Sequence, residues 1–161
     1  MSKQTKESKL TLNVKVLNDD ATLPTQAHDT DAGIDLYSSK KEVIVGGSVK
    51  RIETGIALGL PKGYFAKVFD RSGYGLKSTI SFKAGVIDEG YTGEVGLIAS
   101  NTGPYPVTIP KGSKIAQIVL LPYPKVQIKQ VKTLGKTQRG EKGFGSTDKI
   151  EVFKEKVSAK K

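Results

Sequence analysis

In the segment Gly85-Val86-Ile87-Asp88-Glu89-Gly90-Tyr91-Thr92-Gly93, an acid follows two β-branched residues and the chain then turns at Gly90 toward another apolar run. The pattern predicts a hairpin with Asp88 near its bend. Such a segment alone is more often an ordinary hairpin with solvated acids. Its functional reading makes Asp88 a general base and lets the Tyr91 ring pack on a ligand. Arg71-Ser72-Gly73 follows strand-like residues and precedes Ser72 to Ser78, which can hold a short helical turn. Backbone N–H groups, a hydroxyl and a guanidinium can converge there on phosphate oxygens, although such tripeptides are common at turns. A third stretch, Arg139-Gly140-Glu141-Lys142-Gly143-Phe144-Gly145-Ser146-Thr147, combines cations, hydroxyls, glycines and one isolated aromatic without apolar periodicity. Ser146 stands where a P-loop requires Lys and no strand feeds the stretch, so the Walker reading fails. What remains is an anion-binding loop carrying Phe144, and a base stacked on such a ring gains ~1 to 3 kcal/mol.

Composition narrows the remaining chemistry. Cysteine is absent, which removes disulfides, thiolate nucleophiles and Cys-containing zinc sites. His28 is the only histidine, and no G-x-S-x-G elbow accompanies it, so proton transfer is expected to fall to carboxylates. The net charge of +10 is unevenly spread: residues 10 to 124 carry 12 basic and 11 acidic residues, and residues 125 to 161 carry 11 basic and 4 acidic. A nucleic-acid-binding module would place its basic, aromatic-bearing surface on the globular part, and that part is nearly neutral. No nucleic-acid partner is expected.

The elements that must position these residues are short strands. Leu10, Leu12, Val14 and Val16 alternate with polar residues at the two-residue period of a half-buried strand. Val43 to Val45, Val49 to Ile52, Ile56 to Leu60, Tyr64 to Phe69, Val95 to Ala99, Val107 to Ile109 and Ile115 to Leu121 are likewise rich in β-branched and aromatic residues. Gly46-Gly47, Pro61-Lys62-Gly63, Thr102-Gly103-Pro104 and Pro110-Lys111-Gly112 separate them with turn chemistry. The reading is an all-β sandwich or distorted barrel in one domain, residues 1 to 131. A flexible arm follows from 132 to 161, with a last strand or docked tail at Ile150 to Val157. The longest apolar run, at Ile118 to Leu121, is far below the ~18 residues that span a bilayer, so a soluble, unprocessed, cytoplasmic protein without a membrane partner is expected.

Taken together and in order, five segments resemble the motifs of the trimeric dUTPase family: Asp31 to Ser38, Arg71 to Gly73, Gly85 to Gly93, Gly112-Ser113-Lys114-Ile115-Ala116-Gln117, and Arg139 to Thr147. They span most of the chain. The resemblance implies a distorted jelly-roll β-barrel with a C-terminal arm, assembled as a homotrimer whose three sites are each shared between chains. It implies hydrolysis of dUTP to dUMP and pyrophosphate with Mg²⁺ held by substrate phosphates and water, limiting uracil in DNA and supplying dUMP for thymidylate synthesis. By motif match, Asp88 is the base, Tyr91 lies under the deoxyribose, and Arg71, Ser72, Gly73 and Gln117 contact phosphate. Ala84, Gly85, Val86, Ile87 and Gly96 belong to the uracil pocket. Arg139, Gly145, Ser146 and Thr147 close over the phosphates while Phe144 stacks on uracil, and Asp35 supports the site. Three departures from the family pattern are Gly90, Lys142 and Asp148. A dCTP deaminase or bifunctional relative of the same fold is the alternative, with Phe144 and Tyr91 favouring the dUTPase.

Overall fold

The computed structural model describes residues 10–142. Ten strands and one short helix follow in the order β1 (Asn13–Val16), β2 (Ile34–Tyr37), β3 (Glu42–Ile44), β4 (Val49–Gly59), β5 (Tyr64–Asp70), α1 (Ser72–Lys77), β6 (Ile80–Lys83), β7 (Val86–Ile87), β8 (Glu94–Asn101), β9 (Val107–Ile109) and β10 (Lys114–Pro122). Two four-stranded sheets, ordered β1-β4-β8-β6 and β2-β10-β5-β7, are joined by a two-stranded pair, β3-β9. Every pairing is antiparallel.

All three sheets feed one core. Ile52, Leu58 and Leu97 come from the first sheet, Leu36, Ala66 and Ile118 from the second, and Ile44 and Ile109 from the pair. Alternation puts these side chains on the inner faces, as β8 shows: Val95, Leu97 and Ala99 are buried, and Gly96 and Ile98 between them are only partly so. The arrangement is jelly-roll-like and nearly all-β. It agrees with the all-β, distorted jelly-roll reading of the sequence, and among the described residues the sheets stay open, with β6 and β7 each at a sheet edge. They are separated by Ala84 and Gly85, whose φ values of 60° and 88° turn the chain out of one sheet before it enters the other.

Two segments read as separate strands, Val49 to Ile52 and Ile56 to Leu60, are one strand, β4. Its pairing with β8 shifts between Glu53 and Ala57, where Gly55 takes φ 69°. The displaced amide of Gly55 is not left unpaired, since it donates to Glu94 Oε1 at 2.9 Å. β2, β6 and β7 carry too little alternation to be read as strands in advance. The tail at Ile150 to Val157 lies outside the described residues.

One polar side chain organises the end of the sandwich. Asn101 is almost fully buried, and its Nδ2 donates to the carbonyls of Ile44 (3.0 Å) and Tyr105 (2.7 Å). Its Oδ1 accepts from Thr79 Oγ1 (2.6 Å) and from the Gly103 amide (3.0 Å). One amide thus joins β3, β8 and the turn leading to β9 with every donor and acceptor used. The chain divides into two units, Met1–Lys125 and Val126–Lys161. Among the described residues of the second, Arg139 Nε donates to the Lys142 carbonyl (3.0 Å) and the Gly140 amide to Thr137 Oγ1 (3.0 Å), making a local turn. No described helix is long and apolar enough to cross a membrane.

Replacing Asn101 by Leu leaves two carbonyls, a hydroxyl and an amide without partners, and this is expected to lower the unfolding free energy by ~2 to 5 kcal/mol. Urea unfolding of the variant beside the parent protein measures it. A midpoint that does not move would show that the network contributes nothing.

Candidate active site

The backbone of residues 84–91 is shaped before any ligand arrives. Ala84 is the one non-glycine residue with positive φ among those described, and the amide of Val68 donates to the Gly85 carbonyl at 2.8 Å. A Cβ on Gly85 would lie 3.1 Å from Val68 Cβ, so glycine serves both the turn and the close approach to β5. Lys67 Nζ donates to the Ala84 carbonyl at 2.9 Å. β7 then pairs with β5 through Ala66↔Ile87 and Lys67↔Val86. A turn closes after it, with the Tyr91 amide donating to the Asp88 carbonyl at 3.0 Å.

The hairpin predicted from the sequence is a turn-back without a ladder of its own, because β7 pairs with β5 whereas β8 pairs with β4 and β6; it lines a cavity of about 200 Å³ whose wall includes Ala84, Gly85, Val86, Ile87, Asp88, Tyr91 and Gly96. The sequence-predicted base, aromatic and backbone residues therefore meet here. The Tyr91 hydroxyl donates to the Glu94 carbonyl at 2.9 Å. Its ring lies against Gly93, where a Cβ would fall 2.8 Å from Cζ, so only glycine lets the ring fold over. Gly96 has a second reason to lack a side chain: a Cβ there would come within 2.1 Å of Arg51 Nε. Arg51 in turn bonds Glu94 at 3.0 Å.

A second, polar cavity of about 280 Å³ is lined by Asp31, Gly33, Asp35, Arg71, Ser72, Gly73 and Gln117. β10 pairs Gln117 directly with Asp35 of β2 and with Phe69 of β5, which brings three separate segments of sequence together. Asp35 is largely buried and lies between two cations, accepting from Arg71 Nε at 2.6 Å and pairing with Lys114 Nζ at 2.9 Å. The hydrogen bond to Asp35 and its charge hold the Lys114 ammonium above the usual lysine range. Arg71 Nη1 donates to the Lys114 carbonyl at 3.3 Å, and Nη2 makes no hydrogen bond among the described residues. Arg71 precedes α1 in extended conformation and no side chain caps the helix, so the amides of Ser72 and Gly73 have no acceptor within it. The geometry suits an anion: a guanidinium fixed on one edge, two free amides and a hydroxyl. Gln117 Nε2 donates to the Asp70 carbonyl at 3.0 Å, and its amide fills the space a Gly33 Cβ would occupy.

Lys114 lies in the segment Gly112 to Gln117, and nothing in the sequence marks it as a partner of Asp35. Its place beside Asp35 follows from the register of β10, which residue type alone does not reveal. The hairpin cavity and the Arg71 cavity have no lining residue in common. Arg139 lies in the second unit, and Phe144, Gly145, Ser146 and Thr147 lie outside the described residues.

The sequence model of the dUTPase family matches residues 19–148. The deoxyuridine 5'-triphosphate nucleotidohydrolase of Clostridium tetani (strain Massachusetts / E88) is 47% identical over 141 residues, covering 86% of this chain and 97% of that protein. Among solved structures, the Staphylococcus bacteriophage 80alpha dUTPase with dUPNHPP superposes with a TM-score of 0.80 at 31% identity, covering 86% of this chain and 98% of that one. A mutant dUTPase from phage phi11 of S. aureus, described as coordinating a structural Mg(II) ion, gives 0.72 at 29% identity, covering 76% and 97%. With the matched residues running from before β2 to beyond the last described residue, and with this fold, the chain belongs to the dUTPase family.

Proposed function

We propose that this protein hydrolyses dUTP to dUMP and pyrophosphate, with the hairpin of residues 84–91 holding uracil and Asp88 activating the attacking water. The observation that carries the reading is the position of Asp88 at the wall of a cavity that residues 84–87, Tyr91 and Gly96 also line, together with Lys83 and aliphatic residues of β5 and β8. Uracil offers a fixed order of donors and acceptors on one edge, and peptide groups held in unusual φ can match it without any side chain. Cytosine reverses part of that order, and a buried site left with unpaired groups can reject it by ~10⁴ or more. Tyr91 beneath the sugar leaves no room for a 2′-hydroxyl. The deaminase alternative is not favoured, since the curated relatives compared are named as nucleotidohydrolases.

The triphosphate is bound by Arg71, the amides of Ser72 and Gly73, the Ser72 hydroxyl and Gln117. Asp35 keeps the Arg71 guanidinium aimed by occupying its Nε edge, 2.6 Å away. Arg139, Ser146 and Thr147 cover the phosphates, and Phe144 stacks on the base. Among the described residues no group of three or more His, Cys, Asp or Glu is arranged to hold a metal ion. Mg²⁺ dehydrates reluctantly and needs no protein cage, so here it would enter held by phosphate oxygens and retained waters. When bound, the ion neutralises phosphate charge. Asp88 accepts the proton of the water that attacks the α-phosphorus, and general-base assistance contributes ~10² to 10⁴-fold, with positioning and charge stabilisation supplying the rest.

A homotrimer with shared sites accounts for the separation of the two cavities: the hairpin of one copy completes the phosphate cavity of another. The arm, from 132 onward, is read as reaching a site on a different copy from its own Asp88.

Asp88→Asn is expected to lower turnover by ~10² or more with dUTP affinity within a few-fold of the parent, since the amide keeps the shape but cannot take the proton. Pyrophosphate release and equilibrium binding measure the two quantities, and unchanged turnover removes Asp88 from the mechanism. Shared sites have their own test. Asp88→Asn chains and chains lacking residues 138–161 should each be nearly inactive. Refolded together one to one, about three quarters of random trimers are mixed and each mixed trimer holds one intact site, so about a quarter of parent activity per site should return. Confirmed hybrid trimers without rescued turnover would contradict the shared site.

A further inference from the structure

We infer that Glu89, the neighbour of Asp88, is a positioning residue: its carboxylate clamps the hairpin to the ends of β4, β5 and β10 and so fixes where Asp88 presents its base. The inference rests on the reading of Asp88 as the base. Among the described residues the Asp88 carboxylate has no hydrogen-bond or ion-pair partner, so its position is set by its backbone. That backbone is weak on its own. The turn from Asp88 to Tyr91 contains Gly90, a residue with no neighbouring atoms in the direction of a side chain and with the largest conformational freedom to lose.

Glu89 supplies the missing constraint. Its Oε2 accepts from the Gly63 amide at 2.8 Å and from the Tyr123 hydroxyl at 2.6 Å. The two donors are themselves joined, because the Tyr123 amide donates to the Gly63 carbonyl at 3.0 Å. Gly63 lies in the turn between β4 and β5, with φ 82° and its own closing bond from Tyr64 to Pro61 at 3.1 Å. Tyr123 follows β10, and its ring meets Phe65 edge-on at 6.4 Å between centroids. The anchor is therefore a closed ring of contacts on rigid strand ends. Tyr123 first, then the Gly63 amide, holds the Glu89 carboxyl below the usual range, with Lys125 and Lys62 adding to the effect. The same two contacts favour the ionised form of Glu89, so both bonds are charge-assisted.

Direction completes the case. Asp88 lines both the hairpin cavity and a third cavity of about 390 Å³, whereas Glu89 lines only the third, with Phe65 and Tyr123. Glu89 is held away from the base pocket and acts on it through one peptide unit.

The test compares kcat, KM for dUTP and melting temperature for Glu89→Ala, Glu89→Gln, Tyr123→Phe, the Glu89→Ala/Tyr123→Phe pair and Asp88→Asn, assayed well below each melting point. Glu89→Ala should lower kcat by ~10-fold with KM within ~3-fold, since a base displaced by less than an ångström loses rate rather than binding. Glu89→Gln keeps an oxygen that accepts from both donors and should restore kcat to within ~2-fold of the parent. Tyr123→Phe should show an intermediate loss, and the double variant should lose no more than Glu89→Ala. Full kcat in Glu89→Ala with only a lower melting temperature, or losses that multiply in the pair, would overturn the inference. Turnover retained by Asp88→Asn would instead bring down the base assignment, and the inference with it; an inactive Asp88→Asn beside a fully active Glu89→Ala removes the positioning role alone.

Discussion

The carboxylate of Asp35 is the interaction on which the phosphate side of the molecule depends. It is largely buried, and a charge so placed costs several kcal/mol unless it is paired. Arg71 and Lys114 together pair both of its oxygens. The cost is met by tying β2 to the end of β5 and the start of β10, and the same bonds orient a guanidinium whose remaining edge is available to an anion. Stability and binding are not separate layers here: the ion cluster that holds three strand ends together also aims the group proposed to meet phosphate.

On the other side, the start of the hairpin is set by its backbone. Ala84 and Gly85 are bent into positive φ and held there by Val68 and Lys67 from β5. Around the hairpin cavity the ionisable side chains are Lys83, Asp88 and Tyr91, and the other lining residues are glycine, alanine and aliphatic residues. A polar cavity with a fixed guanidinium and a more apolar one beside positive-φ backbone suit the two halves of a nucleotide, which differ in the same way.

Some of this was legible in the sequence and some was not, for physical reasons. Strands β1, β5, β8, β9 and β10 could be read because alternation or β-branched runs mark a half-buried pleat, and the turn residues bounded them. β2 could not: Ile34-Asp35-Leu36-Tyr37 has a charge at a buried position, which looks like a loop until the pairing with Lys114 and Arg71 is known. β7 is two residues long and exists through its register with β5. Among the candidate site residues, Asp88, Tyr91 and Arg71 stood out as residue types in suggestive settings, and the ordered motifs supplied the roles proposed for them. Lys114, Glu89 and Asn101 did not stand out, because each acts through partners far away in sequence. Asn101 bonds Ile44, Glu89 bonds Gly63 and Tyr123, and no local spacing encodes those contacts.

The backbone character of the hairpin cavity also shapes which genetic changes the protein can absorb. A recognition edge made of peptide groups is indifferent to many side-chain exchanges, so the exposed Val86 can drift among residues of similar shape while the hydrogen-bonding face stays the same. Gaining or losing a single codon between Ala84 and Asp88 is another matter. It would step every carbonyl and amide one place along the pleat, turn the donors and acceptors proposed to meet the base toward the opposite side, and slide the Lys67↔Val86 pairing out of register. The loop is tolerant in spelling and intolerant in length.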